Sequence, residues 1–226
     1  MPIRVVKLGG SLTDMPQLLP RLREWLARQL PSDTILVVGG GALVEAIRAA
    51  HVLRPLPERT AHWLCVRAMG LQADAMLSHM HEAERLVSVA DMCEANTAHH
   101  GGKKMNDSVV DSRSEVFDVR GDYRLLILDP WNFLHEEEPR LAECALPESW
   151  DVTSDSIAAR LAELTQADEL VLLKSALPMQ NTVAALAESG YVDPFFPEAA
   201  KKLARIRVVN LRDAACQENV LLHRRS

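Results

Sequence analysis

Two lysines and one aspartate form the charge pattern in this sequence that best suits chemistry on a phosphate group. Lys7 and Lys174 each stand at the end of a hydrophobic run that is typical of a strand. If the two strands are parallel, both ammonium groups emerge at the same end of a sheet and repel each other. Asp155, at the start of a predicted helix, would hold both ammonium groups if it lay between them. Phosphoryl transfer needs such an arrangement, because its transition state is stabilised mainly by positive charge and alignment around the moving group.

Each of these residues also has a simpler explanation. A carboxylate in the first turn of a helix is favoured by ~0.3–1 kcal/mol through the helix dipole alone. Thr153 or Ser154 could cap a helix that begins there. A lone lysine at the end of a strand is often a surface residue whose stem covers apolar neighbours. The simpler explanation of Asp155 weakens once the two lysines are considered with it.

Two glycine clusters each follow a hydrophobic run rich in β-branched residues, and they predict loops without side chains. Glycine admits backbone angles closed to other residues and lets main-chain N–H groups come close to a ligand. A helix that starts just after the loop adds the positive end of its dipole. Two such loops on neighbouring parallel strands form a cradle for an anion. The clusters are Gly9, Gly10 and Ser11 after Val5–Leu8, and Gly39, Gly40 and Gly41 after Ile35–Val38.

Strand-like runs that alternate with helical periodicity predict an α/β fold with a mainly parallel sheet covered on both faces. With 226 residues and 48% hydrophobic content, one domain over residues 1–226 is expected. The predicted strands are Ile3–Leu8, Thr34–Val38, Leu86–Ala90, Leu125–Leu128, Glu169–Leu173 and Arg205–Asn210.

Three further segments stand out by their periodicity. Thr60–Glu84 is the longest stretch with helical spacing, and it fits either a subunit interface or a helix buried within the chain. Between residues 96 and 122 the periodicity fails in a polar sequence interrupted by glycines, which predicts a mobile loop. A second irregular stretch is predicted over residues 129–150, after the fourth strand, where α/β sheets bind ligands.

Composition and charge disfavour several classes of function. The net charge of -6 and the pI of about 5.8 argue against nucleic acid or an anionic membrane as a partner, since either needs a clustered basic face. The four cysteines form no CxxC pair, so neither a zinc site nor a disulfide framework is predicted. No run approaches the ~20 apolar residues that cross a bilayer, and a signal peptide is not recognisable. A soluble protein of the reducing cytoplasm is expected.

Two other ligand classes are weighed against the phosphate interpretation. Neither glycine loop has the GxGxxG spacing of a dinucleotide-binding domain, and glycines stand where its acidic residue is expected. The pair His99 and His100 could bind a metal ion, but adjacent histidines on a loop are more often solvated. No metal site is therefore predicted.

The order of four segments along the chain resembles the amino acid kinase superfamily. The segments are Lys7–Ser11, Gly39–Gly41, Thr153–Ala159 and Leu172–Ser175. The resemblance implies the fold of that superfamily, a three-layer αβα sandwich. It also implies a kinase that uses ATP and Mg²⁺ and transfers the γ-phosphoryl group to a carboxylate, carbamate or phosphate without a covalent enzyme intermediate.

The resemblance implies a role for each candidate residue. Lys7 would touch the transferred phosphoryl group, Asp155 would organise the lysines, and Lys174 would lie near the nucleotide phosphates. Asp193 and Pro194 would lie near the adenine and ribose, although a turn that closes a helix explains the same residues. The loops would divide between the ATP phosphates, with Gly9, Gly10 and Ser11, and the acceptor, with Gly39, Gly40, Gly41 and Ser154.

Within the superfamily, the chain resembles most a branch that phosphorylates aminomethylfuran phosphate to a diphosphate in methanofuran biosynthesis. This likeness rests on Trp150–Ala158 together with His62, Trp63 and Met69. UMP and an amino-acid carboxylate are the alternative acceptors. A homodimer or a larger homo-oligomer is expected.

One segment departs from the pattern of the superfamily. After Lys174 the chain has Ser175–Met179, where many relatives have a turn of the Asp-Gly-Val-Tyr type. The departure keeps a second function open, that of a non-catalytic protein that binds or stores nucleotides or oxyanions.

Overall fold

A seven-stranded sheet forms the centre of the computed structural model, which describes residues 2–90, 92 and 123–221. The strands lie in the order β3-β4-β2-β1-β5-β6-β7, and all neighbouring pairs are parallel except β6 with β7. They span Ile3–Leu8 (β1), Asp33–Val38 (β2), Glu84–Leu86 (β3), Leu125–Leu128 (β4), Glu169–Lys174 (β5), Ile206–Asn210 (β6) and Glu218–Leu221 (β7).

Helices cover both faces of the sheet. On one face Leu22 and Trp25 of α1 pack against alternate residues of the central strands, and on the other face Ile157 and Leu161 of α6 do so. The three layers predicted from the sequence are therefore confirmed. The helices are α1 (Leu18–Ala27), α2 (Gly41–Leu53), α3 (Glu58–His79), α4 (Pro130–Asn132), α5 (Glu138–Leu141), α6 (Ser154–Leu164), α7 (Val183–Glu188) and α8 (Phe196–Ala199), with a 3₁₀ turn at Gly10–Leu12 and a π turn at Phe133–Glu137.

The central strands read as uninterrupted hydrophobic runs because both of their faces are covered. Every residue of β1 and β2 is buried. Successive side chains point to opposite faces, so Val5 enters one core cluster and Val6 the other. Lys7 follows Val5 by two positions and therefore points to the face that α6 covers.

The predicted elements differ from the structure in three places. The strand predicted at Leu86–Ala90 is wrong in position, since β3 ends at Leu86 and Val87 is 70% exposed. The stretch predicted as irregular over residues 129–150 contains α4, the π turn and α5. The strand β7 was not predicted from the sequence, because it is a short edge strand with three exposed residues. The loop predicted between residues 96 and 122 lies outside the described residues.

The long periodic stretch predicted over Thr60–Glu84 forms the helix α3, which ends at His79, and Glu84 already belongs to β3. Along α3, Val66 and Met69 enter one core cluster, whereas Ala73 and Met76 enter the other. The preceding helix, α2, has no buried residue despite its apolar sequence. Within the described part of the chain, no helix combines the length and hydrophobicity needed to cross a membrane.

A buried cluster of charged side chains joins the beginnings of three neighbouring strands. Glu169 of β5 accepts hydrogen bonds at Oε1 from Arg4 Nε of β1 at 2.6 Å and from Arg207 Nη2 of β6 at 3.0 Å. Arg4 also lies opposite Glu169 in the register of the sheet. Because a charge left alone in this place would be strongly destabilising, the cluster fixes the alignment of the three strands.

The two glycine loops follow β1 and β2 and touch each other through backbone atoms. The N–H of Gly39 donates to the carbonyl of Leu8 at 2.9 Å. A Cβ atom at Gly39 would stand 2.7 Å from the nitrogen of Gly10, and one at Gly10 would stand 2.7 Å from the nitrogen of Gly41. Glycine is required at both positions because a neighbouring backbone occupies the space of a side chain.

We expect Gly39→Ala to lower the free energy of unfolding by about 1–3 kcal/mol, the usual effect of overpacking. Gly70→Ala is the matched control, because nothing lies within 4 Å of a Cβ atom at this helical position. The control should gain about 0.5–1 kcal/mol from the lower backbone entropy of alanine. Urea unfolding monitored by circular dichroism measures both values. Equal stabilities of the two variants would contradict the backbone contact.

Candidate active site

Lys7, Asp155 and Lys174 meet in one buried cluster. Lys7 Nζ lies 2.8 Å from Asp155 Oδ1, and Lys174 Nζ lies 3.0 Å from Asp155 Oδ2. The side chains of Lys7, Asp155 and Lys174 are 5%, 7% and 12% exposed, respectively. The carboxylate thus separates two ammonium groups, with one oxygen toward each.

Three elements place these side chains. β1 and β5 are parallel neighbours in the sheet, with Lys7 opposite Leu172, so both lysines lie near the carboxyl ends of their strands. α6 begins at Ser154, which puts Asp155 in its first turn. Ala158 and Ala159 of this helix are fully buried, and their small size lets the helix approach the sheet closely. The convergence follows from the parallel pairing of β1 with β5.

The charges of the cluster depend on one another because the cluster is buried. Burial raises the pKa of Asp155, but the ammonium groups of Lys174 and Lys7 outweigh burial and hold this pKa at about 2. Burial lowers the pKa of Lys174 to about 8, opposed by the carboxylate of Asp155 and assisted by Lys7. Two ammonium groups and one carboxylate leave one unit of positive charge, so the cluster attracts an anion.

Tyr191 also contacts the ammonium group of Lys174. Its carbonyl oxygen accepts a hydrogen bond from Lys174 Nζ at 2.9 Å, and the ammonium lies 5.1 Å from the centre of its ring. Its hydroxyl donates to the carbonyl of Ala176 at 2.6 Å. Burial, with a smaller effect of Asp155, raises the pKa of Tyr191. Sequence reasoning missed this residue, although it lies two positions before the candidate Asp193.

The first glycine loop lies against the turn that follows Lys174. Ser11 Oγ donates to Ser175 Oγ at 3.2 Å, and the N–H of Gly9 donates to the carbonyl of Leu173 at 2.9 Å. A Cβ atom at Gly9 would lie 3.7 Å from Cδ of Lys174. The loop therefore borders the stem of Lys174, as a phosphate-binding role for both would need.

A cavity of about 550 Å³ adjoins the loops and the start of α6. This volume lies within the range of ~300–1,000 Å³ that is usual for small-molecule sites. Val44, Val66 and Met69 give it apolar walls. Of the predicted site residues, those that line it are Gly10, Ser11, Gly40, Gly41 and Ser154, whereas Lys7, Gly9, Gly39, Asp155 and Lys174 do not line it.

Arg48, His62 and Trp150 are among the polar and aromatic side chains of the cavity wall that carried no predicted role in the site. Arg48 pairs with Glu45 at 2.7 Å and keeps a guanidinium 46% exposed. Burial lowers the pKa of His62, whose Nδ1 lies 3.1 Å from the carbonyl of Ser149. The indole of Trp150 contacts the ring of His51 edge to face at 5.2 Å. Arg48, His62 and Trp150 give the cavity a cation, an imidazole and a flat aromatic surface, and the carboxylates of Asp14 and Glu45 line it as well.

Asp193 and Pro194 differ in their surroundings. The carboxylate of Asp193 is buried, and its Oδ2 accepts hydrogen bonds from Thr153 N at 3.0 Å, Thr153 Oγ1 at 2.8 Å and Ser156 N at 3.0 Å. Its Oδ1 accepts from the hydroxyl of Ser156. Thr153 is the N-cap residue of α6, as predicted, but its own side chain caps no helical N–H, and Asp193 does so instead. Pro194 is exposed.

Among the residues that the structure describes, no group of three or more His, Cys, Asp or Glu side chains is placed to hold a metal ion. Cys65, Cys144 and Cys216 are free thiols. His99 and His100 lie outside the described residues, and so does Cys93.

Comparisons with known proteins identify the family and the fold. A sequence profile described as the amino acid kinase family matches residues 2–176. A comparison with curated protein sequences finds no significant match.

Solved structures share the fold. Uridylate kinase from Archaeoglobus fulgidus is similar at 18% identity with a TM-score of 0.54, over 92% of this chain and 90% of that chain. UMP kinase from Ureaplasma parvum is similar at 12% identity with a TM-score of 0.61, over 98% and 99% of the two chains. Aspartate kinase from Synechocystis is similar at 14% identity with a TM-score of 0.61, over 99% of this chain and 40% of that longer chain.

Lys174 should lose its proton near pH 8. NMR of the protein labelled at lysine side chains should show one ε-methylene signal with a midpoint of about 8, and Lys174→Arg should remove it. Asp155→Asn should move the midpoint further down, since the carboxylate favours the ammonium. A midpoint near the ordinary lysine value of 10.5 would contradict the burial of this charge.

The same shift predicts a stability effect of known sign. The unfolded chain binds the Lys174 proton more tightly than the folded protein, so the charged group makes the folded state less stable below pH 8. This penalty should disappear as the pH rises from about 8 toward 10.5.

Proposed function

Because this chain belongs to the amino acid kinase family, we propose that it transfers the γ-phosphoryl group of ATP to a small metabolite that carries a phosphate or a carboxylate. Its membership makes it a phosphotransferase of this family, and the acceptor is the part that the proposal adds. The observation that carries the proposal is the cluster of Lys7, Asp155 and Lys174, with its surplus positive charge beside two touching glycine loops.

In this proposal the chain binds and aligns the reacting groups and takes no covalent part. Lys7 and Lys174 stabilise the negative charge of the transferred phosphoryl group, and Asp155 keeps both ammonium groups at fixed positions. Gly10 and Ser11 offer main-chain N–H groups to the donor phosphates, and Gly9, whose own N–H donates to Leu173, keeps this stretch of the loop free of a side chain. Such donors are already in place before the transfer and need no rearrangement during it. This electrostatic preorganisation is the largest contribution to the rate enhancement of many enzymes.

The residues present fit ATP and Mg²⁺. The glycine loops carry no side chains that would keep phosphate oxygens away from main-chain N–H groups, and the lysine cluster has one positive charge to spare. Mg²⁺ commonly binds through substrate phosphates and water with few protein ligands. ATP supplies the phosphoryl group, and Mg²⁺ neutralises part of its charge.

For the acceptor we propose the 550 Å³ cavity, with Gly40, Gly41 and Ser154 as binding residues and Gly39 as support for their loop. Its apolar walls and the indole of Trp150 suit a flat ring, and the guanidinium of Arg48 suits a phosphate. Aminomethylfuran phosphate combines a flat ring with a phosphate, and it is our first candidate. UMP combines the same two features, whereas an amino-acid carboxylate lacks the ring.

A non-catalytic protein that binds nucleotides or oxyanions is the second candidate. It is favoured by one observation, the turn at Ser175–Met179, where Ser175 contacts Ser11 in place of an acidic residue. ATP binding in a calorimeter without ADP release for any acceptor would favour this candidate. The homo-oligomer and the cytoplasmic location stay predictions.

We expect Lys7→Ala and Asp155→Asn each to lower the rate of ADP release by about 100-fold or more, the usual effect of removing a group that stabilises transition-state charge. Lys201→Ala is the matched control, because this lysine is exposed and its ion pair with Glu198 lies on the surface. A coupled assay for ADP measures all three variants. Turnover that persists in both site variants would contradict the assigned roles.

We expect the protein to release ADP from ATP faster with a phosphorylated acceptor that carries a flat ring than with a free acid such as aspartate or glutamate. ³¹P NMR of the product separates a diphosphate from an acyl phosphate. Arg48→Gln should raise the KM for the phosphorylated acceptor about tenfold, which corresponds to about 1.4 kcal/mol, and Arg54→Gln, at an exposed position after α2, should leave it unchanged. An acyl phosphate as the main product would show that the acceptor is a carboxylate and not a phosphorylated metabolite.

A further inference from the structure

One buried carboxylate of the site region contacts neither lysine. Asp193 is 7% exposed, and all of its side-chain hydrogen bonds go to the beginning of α6. We propose that Asp193 is a positioning residue for phosphoryl transfer, which holds the first turn of α6 so that Asp155 stays between Lys7 and Lys174. This inference rests on the proposed kinase function and gives Asp193 a role other than a contact with the nucleotide.

Asp193 contacts the residues on both sides of Asp155 in the sequence. Its Oδ2 binds the N–H of Thr153, two residues before Asp155, and the N–H of Ser156, one residue after it. The hydroxyls of both residues donate to the same carboxylate. The backbone on both sides of Asp155 is therefore tied to one buried anchor, which leaves little freedom for the Asp155 side chain to shift.

A carboxylate suits this position because every partner is a donor. An amide at residue 193 would lack the negative charge, and it would have to turn its oxygen to the two N–H groups and its NH₂ group to the hydroxyl of Ser156, which would then accept instead of donate. The negative charge also faces the positive end of the α6 dipole. Against these gains stand burial and the nearby Asp155, which both raise the pKa of Asp193.

The same short segment also holds Lys174. Tyr191 accepts a hydrogen bond from Lys174 Nζ through its carbonyl oxygen, two residues before Asp193. The segment Tyr191–Asp193 therefore contacts one member of the ion cluster directly and another through the start of α6. It sets the distance between Lys174 and Asp155, although the two residues lie on different elements.

The test compares Asp193→Asn with Asp151→Asn, a matched control at an exposed aspartate just before α6. Three quantities are measured in the folded protein: kcat for ADP release, the Kd of ATP by calorimetry and the midpoint of the Lys174 titration by NMR. For Asp193→Asn we expect kcat to fall about tenfold or more, the Kd of ATP to change less than about twofold, and the midpoint to fall below about 8 as Asp155 moves away. Asp151→Asn should leave all three unchanged.

Two results would overturn the proposal. One is a folded Asp193→Asn protein with unchanged kcat and unchanged Lys174 midpoint, which would assign Asp193 to stability alone. The other is a large rise in the Kd of ATP with unchanged kcat, which would assign Asp193 to the nucleotide. If Asp193→Asn does not fold, Ser156→Ala is the second variant. It removes only the hydroxyl that donates to Oδ1 of Asp193 and should give smaller changes in the same direction.

The NMR midpoint also separates the two levels of inference. It needs no substrate, so it reports the effect of Asp193 on the ion cluster even if no acceptor supports turnover. An altered Lys174 midpoint in Asp193→Asn, without kinase activity in the unmodified protein, would support the effect of Asp193 on the ion cluster and contradict the kinase function. Kinase activity with an unaltered midpoint and kcat in Asp193→Asn would do the reverse.

Discussion

The structure depends on one carboxylate that is held between two ammonium groups away from water. Burying two like charges is unfavourable, and a single negative group makes it possible only if all three side chains meet within hydrogen-bond distance. Lys7 belongs to β1, Lys174 to β5 and Asp155 to α6, so the pairing of two strands and the docking of one helix must all be correct at once. The small residues of α6 and the parallel register of β1 with β5 serve this requirement.

The far end of the sheet contributes to the same alignment. Arg4 and Glu169 lie on the two strands that carry the lysines, and their ion pair is buried near the opposite ends of those strands. A slip of one residue between β1 and β5 would break this pair and separate the lysines from Asp155 together. The two polar clusters therefore specify one register, each at its own end of an otherwise apolar pair of strands.

The sequence predicts the parts of the site that depend on local patterns. Lys7 and Lys174 end recognisable strands, and Asp155 begins a recognisable helix, so the parallel sheet brings them together. The role of Asp193 at the start of α6 could not be predicted, because 37 residues separate it from Ser156 and no local pattern links them. Tyr191 acts on Lys174 through its carbonyl oxygen, which every residue has. The short edge strand β7 has too few buried residues to form a pattern.

The contact between the glycine loops has a consequence for how such a site can diversify. In the proposed division of the loops, the donor and acceptor sides share a wall of backbone, in which Gly10 and Gly39 leave no space for a side chain. A change of acceptor is then expected to depend on other side chains of the cavity, such as Arg48 of α2 and His62 of α3. The same phosphate chemistry could thereby serve different acceptors.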